Sequence, residues 1–295
     1  MALIRSLQSG VSGLKGYQTD LDVIGNNIAN VDTTAYKEGR LSFADMMSQT
    51  LSSAQHNKDA MQVGQGTKLG SIDTTQTNGT LNQTDQPLDL AINGTGYFVL
   101  EKEQHPTEEV SLFTRDGHFH LDSDGYLVTD NGLYVQGRKR DATTGEILPP
   151  DADTHMIWVE NIQLPKSADL QGDSSNKKLA VSSVSVSSDG LVHYKLVGDD
   201  TEREAGPIII DRINNPEGLE KLGNNVLRDN SASGKEHYIP DADNRIVSGV
   251  LEASNVDLTK QMTSLIEAQR SYQANAETIT TSDQILNDLV RLKRE

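Results

Sequence analysis

The sequence predicts an α+β protein in which an antiparallel, all-β central domain is flanked by one helix at each end. Three observations carry that prediction. Apolar residues recur every seven positions at both ends of the 295-residue chain, the stretch between breaks into short apolar runs separated by Asx-Gly pairs, and the charge is unevenly spread. The net charge of −17 leaves −14 in residues 51–250, because the first fifty residues carry four basic against five acidic side chains and the last forty-five carry five against seven. The acidity belongs to the middle, and the near-neutral ends are free to pack closely.

The N-terminal helix is read over residues 1–31. Leu7, Leu14, Leu21 and Ile28 make the seven-residue repeat, with Ile4 and Val11 three positions before the first two and Tyr17, Ile24 and Val31 three after the last three. The C-terminal helix is read over 255–295, where Leu258, Leu265, Tyr272, Ile279 and Leu286 repeat and Met262, Ala276 and Val290 follow four residues after three of them. Ser254 or Asn255 suits an N-cap, and Asp257 suits the positive end of the helix dipole. Both stripes are narrow, which leaves two readings open: helices packed on the chain's own globular body, or helices that pair with each other and with copies from neighbouring subunits. Gly10, Gly13, Gly16 and Gly25 each cost about 1 kcal/mol in a helix interior, so the first helix is expected to order when packed.

Residues 32–72 are polar and read as an extended connector, with at most a short helix at Leu41–Met47. Residues 73–254 read as the β domain. Its strands are expected at 88–92, 96–100, 111–114, 118–121, 178–187, 191–197 and 207–213, with turns at Asn93-Gly94, Asp116-Gly117, Asp124-Gly125, Asn131-Gly132 and Asp189-Gly190. Residues 138–176 are the least regular and read as an insertion.

Composition narrows the function. Hydrophobic residues make up 35% and aromatic residues 4%, little material for a thick aromatic core. Strong acidity argues against nucleic acid, which is bound through Lys and Arg that release counterions, and against anionic membrane surfaces. The absence of cysteine excludes disulfides, thiolate metal sites and a cysteine nucleophile. The N-terminus lacks the apolar run and cleavage site of a secretory signal, and no stretch approaches the roughly 18 apolar residues of a membrane span.

Catalytic motifs are weak. Among seven histidines only His118 and His120 are close; on a strand they share a face, and with Asp116 and Asp122 they compose a metal set on paper, the basis of an alternative reading as a metal-binding protein or enzyme. A surface strand between two turns explains the pair more simply. Asp122-Ser123-Asp124-Gly125 begins like a calcium loop, but the position of the bidentate Glu is Leu133. Gly94-Thr95-Gly96 lacks the third glycine of a dinucleotide loop and runs into a strand. No catalytic residue, cofactor or metal is therefore expected. Asn26, Asn27 and Asn30 stand out instead: three amides where the first helix ends, more than a helix terminus requires.

These residues carry a family resemblance. Leu21-Asp22-Val23-Ile24-Gly25-Asn26-Asn27-Ile28-Ala29-Asn30-Val31 with Thr33-Thr34-Ala35-Tyr36-Lys37 resembles the N-terminal signature of bacterial flagellar rod and hook proteins. Gly249–Leu258 and Ala268–Ala276 are similar to the other end of that family, Leu88–Phe98 to its central β motif, and Asn215–Leu219 with Leu222–Asn225 to a later one. The stretches Ser42–Met46, Ser254–Leu258 and Gln273–Ala276, and the length, look most like a compact hook protein, with a distal rod protein as the alternative.

The resemblance implies a non-enzymatic subunit of a helical tube, in which both terminal helices form an inner coiled-coil layer and the β domain an outer one, stacked through heterologous contacts. A hook subunit would transmit motor torque while bending. The implied partners are copies of the chain itself, the distal rod, hook cap and hook–filament junction proteins, and the flagellar type III export apparatus, with an extracellular place reached without a cleaved signal. Leu7, Leu14, Leu21, Asn26, Asn27, Ile28, Asn30, Leu258, Leu265, Tyr272, Ile279 and Leu286 are the expected assembly residues.

Overall fold

The structure, a computed structural model, describes residues 2–52, 61–102, 112–138, 159–164, 181–196, 201–234 and 245–292. The chain divides into two compact units: Met1–Asp32, Lys37–Gln76 and Val256–Glu295 form a helical unit, and Thr33–Tyr36 with Thr77–Asn255 form a β unit.

The helical unit is built on α1 (Ala2–Ala29) and α2 (Leu258–Leu292), with β1 (Gly39–Asp45), β2 (Gln49–Ser52), β3 (Met61–Val63) and β4 (Thr67–Thr74) between them in sequence. At about 1.5 Å per residue the helices span about 42 and 52 Å. The end of α1 is sealed by Asn30, whose backbone N–H and side-chain Nδ2 both donate to the Asn26 carbonyl (3.1 and 2.9 Å). The start of α2 differs from expectation. Its cap is Asp257, whose Oδ1 accepts from the N–H groups of Thr259 (2.8 Å) and Lys260 (3.2 Å), the second and third helical residues. Asn255 instead donates to Thr77.

The stretch expected to be extended connector, with at most a short helix at Leu41–Met47, holds two antiparallel strand pairs. β1 pairs with β4 and β2 with β3. Leu41 and Phe43 alternate at the strand period and oppose Ile72 and Leu69, across a bulge that shifts the register between them. Phe43 also seats on α1. Its ring lies 5.3 Å from that of Tyr17, centroid to centroid, and a Cβ on Gly16 would come within 2.7 Å of it. That local packing selects strand over helix.

The β unit contains β5 (Leu81–Gln83), β6 (Leu90–Asn93), β7 (Tyr97–Glu101), β8 (Leu112–Thr114), β9 (Phe119–Leu121), β10 (Leu127–Thr129), β11 (Tyr134–Arg138), β12 (Val159–Asn161), β13 (Val181–Val186), β14 (Leu191–Leu196), β15 (Arg203–Pro207), β16 (Ile210–Asp211), β17 (Glu220–Gly223), β18 (Val226–Arg228), β19 (Arg245–Ser248) and β20 (Val250–Glu252). Its main sheet runs β17-β18-β8-β7-β11-β10-β9, with β12 on β11 and β16 on β7; β13-β14-β15, β19-β6 and β20-β5 complete it. The pairings are antiparallel throughout.

The run Tyr97-Phe98-Val99-Leu100 is buried on both faces of that sheet. Phe98 and Leu100 enter the larger core with Leu90, Leu127, Val192 and Ile246, while Tyr97 and Val99 enter a second with Phe113, Ile209 and Ile213. Continuous apolarity in this strand therefore reflects two cores rather than one. The turns at Gly125, Gly132 and Gly190 have φ of 83°, 74° and 80°, as their Asx-Gly pairs demand. Gly117 serves differently: a Cβ there would overlap the Leu90 carbonyl, in a place where Leu90 N–H donates to Gly117 O (3.0 Å).

Most of 138–176 lies outside the described residues, as do Lys178–Ala180, Ser111 and Val197 of the expected strands. The part that is described is ordered into the fold: β12 pairs with β11, and Ile162 and Leu164 are buried in the larger core.

Candidate assembly interface

Within the helical unit, α1 and α2 pair antiparallel along a seam of small and polar residues. Ser6 Oγ meets Ser282 Oγ at 3.2 Å, and Asn27 Nδ2 donates to Gln261 Oε1 at 3.3 Å. Between these ends, a Cβ on Gly10 would lie 3.0 Å from Ile279, and one on Gly13 2.9 Å from Asn275. Glycine here buys close approach of two backbones, which offsets its cost in helix propensity. Gly25, with nothing within 4 Å of its would-be Cβ, has no such role.

This seam is displaced from the apolar repeats. On α1 it runs through Ser6, Gly13, Asp20 and Asn27, one residue before Leu7, Leu14, Leu21 and Ile28, all four of which are half-buried at its flank. On α2 it runs through Gln261, Ala268, Asn275 and Ser282, of which Gln261, Ala268 and Ser282 are buried. Leu265, Ile279 and Leu286 are half-buried, while Leu258 and Tyr272 are exposed. Asp20 falls opposite Ala268 in the antiparallel spacing, and partial burial raises its carboxyl above the ordinary 3.8.

Larger apolar residues remain uncovered. Val11 on α1, and Met262 (51% exposed), Ile266, Ile285, Leu289 and Leu292 (70%) on α2, face outward within this chain. Leu289 and Leu292 also lie past the point where α1 runs out. Ser6 pairs with Ser282, so even Ala2 reaches only to about one turn beyond it.

The three amides do different work. Asn27 is 1% exposed, accepts from Gly39 N–H (2.9 Å) and donates to Gly39 O (2.8 Å) and Gln261. Gln261 in turn donates to Glu38 Oε1 (2.7 Å), which also receives Lys260 Nζ (3.1 Å). Asn27 therefore knots the subunit internally, whereas Asn26 and Asn30 stay at the surface and cap the helix.

In the β unit, sequence reasoning missed a buried ion pair. Arg115 and Glu252 meet at 3.1 Å with side chains 5% and 1% exposed. Arg115 also donates to Gly96 O (2.9 Å) and Asn78 Oδ1 (2.8 Å), and Glu252 accepts from Gly79 N–H (2.9 Å). Arg115 lies 5.4 Å over the Tyr97 ring, whose hydroxyl is pushed up to about 12 chiefly by burial. These partners are 137 residues apart, and no short motif announces them.

The histidine pair has other companions than those expected. Asp130 lies between His118 (3.0 Å) and His120 (3.5 Å), all three well exposed. Asp116 is turned to the His118 backbone N–H, and burial raises its carboxyl despite hydrogen bonds from Thr34 and Asn225. Asp122 accepts from Ser123 N–H in its own turn. Among the described residues no three His, Asp or Glu side chains converge as a metal-holding group. No described helix is long and apolar enough to cross a membrane.

A long helical hairpin with an uncovered apolar flank, joined in one chain to a β unit with its own closed cores, describes a class of protein: a structural subunit. Comparison with known proteins gives the class its family. Residues 7–37 match the flagella basal body rod protein family, 91–194 the flagellar hook protein FlgE/F/G D1 domain, and 247–292 the flagellar basal body rod FlgEFG protein C-terminal family. The chain is 37% identical to the flagellar basal-body rod protein FlgG of Bacillus subtilis over 302 residues, covering 99% of this chain and 100% of that one. It is 31% identical to FlgG of Caulobacter vibrioides over 301 residues (98% and 100%), and 28% identical to the flagellar hook protein FlgE of Borreliella burgdorferi over 448 residues (99% and 100%). The chain belongs to the flagellar rod and hook family and is a structural protein of the flagellar axis.

Proposed function

We propose that the chain is a rod-type subunit of the flagellar basal body, a segment of the straight shaft that carries motor torque, rather than a hook subunit. The observation that supports this most is alignment length. Against the two rod relatives the whole chain aligns over 302 and 301 residues, so almost nothing is inserted or removed; against the hook relative the alignment stretches to 448. The hook relative carries stretches that have no counterpart in this chain. The hook reading, favoured by the motifs Ser42–Met46, Ser254–Leu258 and Gln273–Ala276, keeps support from the hook relative's full coverage.

In the rod reading, copies of the chain are the main partner. The terminal helices pack on those of neighbours through the residues that flank the seam: Leu7, Leu14, Leu21 and Ile28 on α1, and Leu258, Leu265, Tyr272 and Leu286 with the exposed Met262, Ile266, Leu289 and Leu292 on α2. Burying such side chains stabilises by about 1.5–3 kcal/mol each, an energy the isolated subunit leaves unused. Ile279, Asn26, Asn27 and Asn30 act indirectly, by shaping the hairpin. The axial neighbours are the proteins that precede and follow the rod, and delivery is by the flagellar type III export apparatus without a cleaved signal. The protein acts without catalysis or cofactor.

Immunogold labelling of purified hook–basal bodies tests the reading. Label confined to the straight shaft is expected; label along the curved hook would overturn it in favour of the hook.

A further inference from the structure

The chain passes between its two units four times, at 32/33, 36/37, 76/77 and 255/256. Three segments make the crossings: residues 32–39, which hold two of them, 75–80 and 252–261. On the β-unit side, two residues tie these segments to one another. Asn255 donates its backbone N–H to Tyr36 O (3.3 Å) and its Nδ2 to both Thr77 O and Thr77 Oγ1 (3.1 Å each). Glu252 accepts Ala35 N–H on its backbone carbonyl (2.8 Å) and Gly79 N–H on its carboxylate (2.9 Å), the carboxylate being held by Arg115. Ala35 sits at φ 55°, a left-handed conformation unusual for alanine and maintained by these bonds.

On the helical-unit side a second set ties the same three segments. Asn27 brackets Gly39 and reaches Gln261; Glu38 receives Gln261 and Lys260 on its carboxylate and Thr75 N–H on its carbonyl (2.8 Å). We infer that these two polar nodes, Asn255–Glu252 and Asn27–Glu38–Gln261, are paired clamps: each holds all three crossing segments together, so that load entering through either helix is divided among the four covalent crossings instead of running down one. Asn255 and Asn27 are positioning residues in this scheme. Side-chain amides suit the task because each offers donors and an acceptor to several backbones at once, where a charge would serve one sign only. Along the peptide chain the two nodes are two or three residues apart in the first segment (36 to 38 and 39), two in the second (77 to 75) and five or six in the third (255 to 260 and 261), so loosening one is expected to loosen the other.

The scheme rests on the axial-subunit reading for its purpose, but its test does not. Amide hydrogen exchange on the unassembled full-length chain reads both nodes directly. Asn255→Asp keeps the size and removes the donor to Thr77. Exchange at Gly79 in its own node, and at Gly39 and Thr75 in the opposite one, is expected to accelerate roughly tenfold, while Val99 and Phe113 in the sheet stay at the wild-type rate. Asn27→Asp is expected to have the reciprocal effect at Ala35 and Gly79. Acceleration confined to the node that was altered would overturn the proposal, as would acceleration that spreads equally to Val99 and Phe113. Thr77→Val, which removes a single acceptor, gives a milder reading should either Asp variant fail to fold. Because no assembly is involved, a hook instead of a rod leaves these outcomes unchanged.

Discussion

The two units solve opposite problems. The β unit closes on itself: Phe98, Phe113, Leu90, Leu100, Leu127 and Val192 are wholly buried in two cores, one on each face of the β7 strand. The helical unit does the reverse. It spends its tightest contacts on Gly10, Gly13, Ser6, Ser282 and Asn275, and leaves Met262, Ile266, Leu289 and Leu292 in solvent. The contrast teaches where stability is owned by the subunit and where it is deferred to neighbours. Hydrophobic burial is the dominant favourable term in folding, and the smaller of the two units leaves part of it unused.

The sharpest way to break the contrast is in the β unit. Phe113→Ala removes a wholly buried ring and is expected to cost about 3–5 kcal/mol in urea unfolding of the β unit. Arg115→Met strands the Glu252 carboxylate and is expected to cost about the same; removing one partner of a buried pair is far more damaging than the pair is stabilising. The exposed pair Arg228–Glu220 is the control, and Arg228→Met should leave the midpoint within experimental scatter.

The helical unit responds on a smaller scale. Gly13→Leu forces the seam apart at Asn275 and is expected to lose about 1–3 kcal/mol of helical-unit stability by circular dichroism, whereas Gly25→Ala gains up to about 1 kcal/mol because its site is open. A loss of the same size at both glycines would contradict a close-contact seam. The smallest effect is titratable. Asp20 has its carboxyl raised, so the folded chain holds that proton more tightly than the unfolded one; the associated stability is full below about pH 3.8 and is lost as pH rises through the folded value. Asp20→Asn is therefore expected to raise the melting temperature near pH 7, with the difference shrinking to nothing near pH 3.

Much of this was legible in the sequence, and the failures have physical causes. The β strands and their turns were readable because Asx-Gly pairs and apolar runs act locally. The helix pair was readable too, but not its seam: the Leu and Ile repeats advertise themselves through hydrophobicity, while Ser6, Gly13 and Ala268 pack by being small, which no hydrophobic signal records. The β1–β4 pair was hidden because Leu41 and Phe43 alternate over too few residues to be told from a helical turn. Arg115 and Glu252 escaped because nothing local connects them. Asp257 was noticed for its charge and missed as the cap it forms.

The buried amide pair Asn27–Gln261 has one more effect. Sliding α1 along α2 by a turn or a heptad would leave most of the small-residue surface equally well packed, but it would remove both amides from each other and from Gly39 and Glu38. Stranding a buried polar group costs about 1–3 kcal/mol, so every shifted alignment is penalised while the correct one is not. The amides thus serve as an alignment mark within the subunit, fixing by hydrogen-bond satisfaction a helix register that small side chains alone leave degenerate.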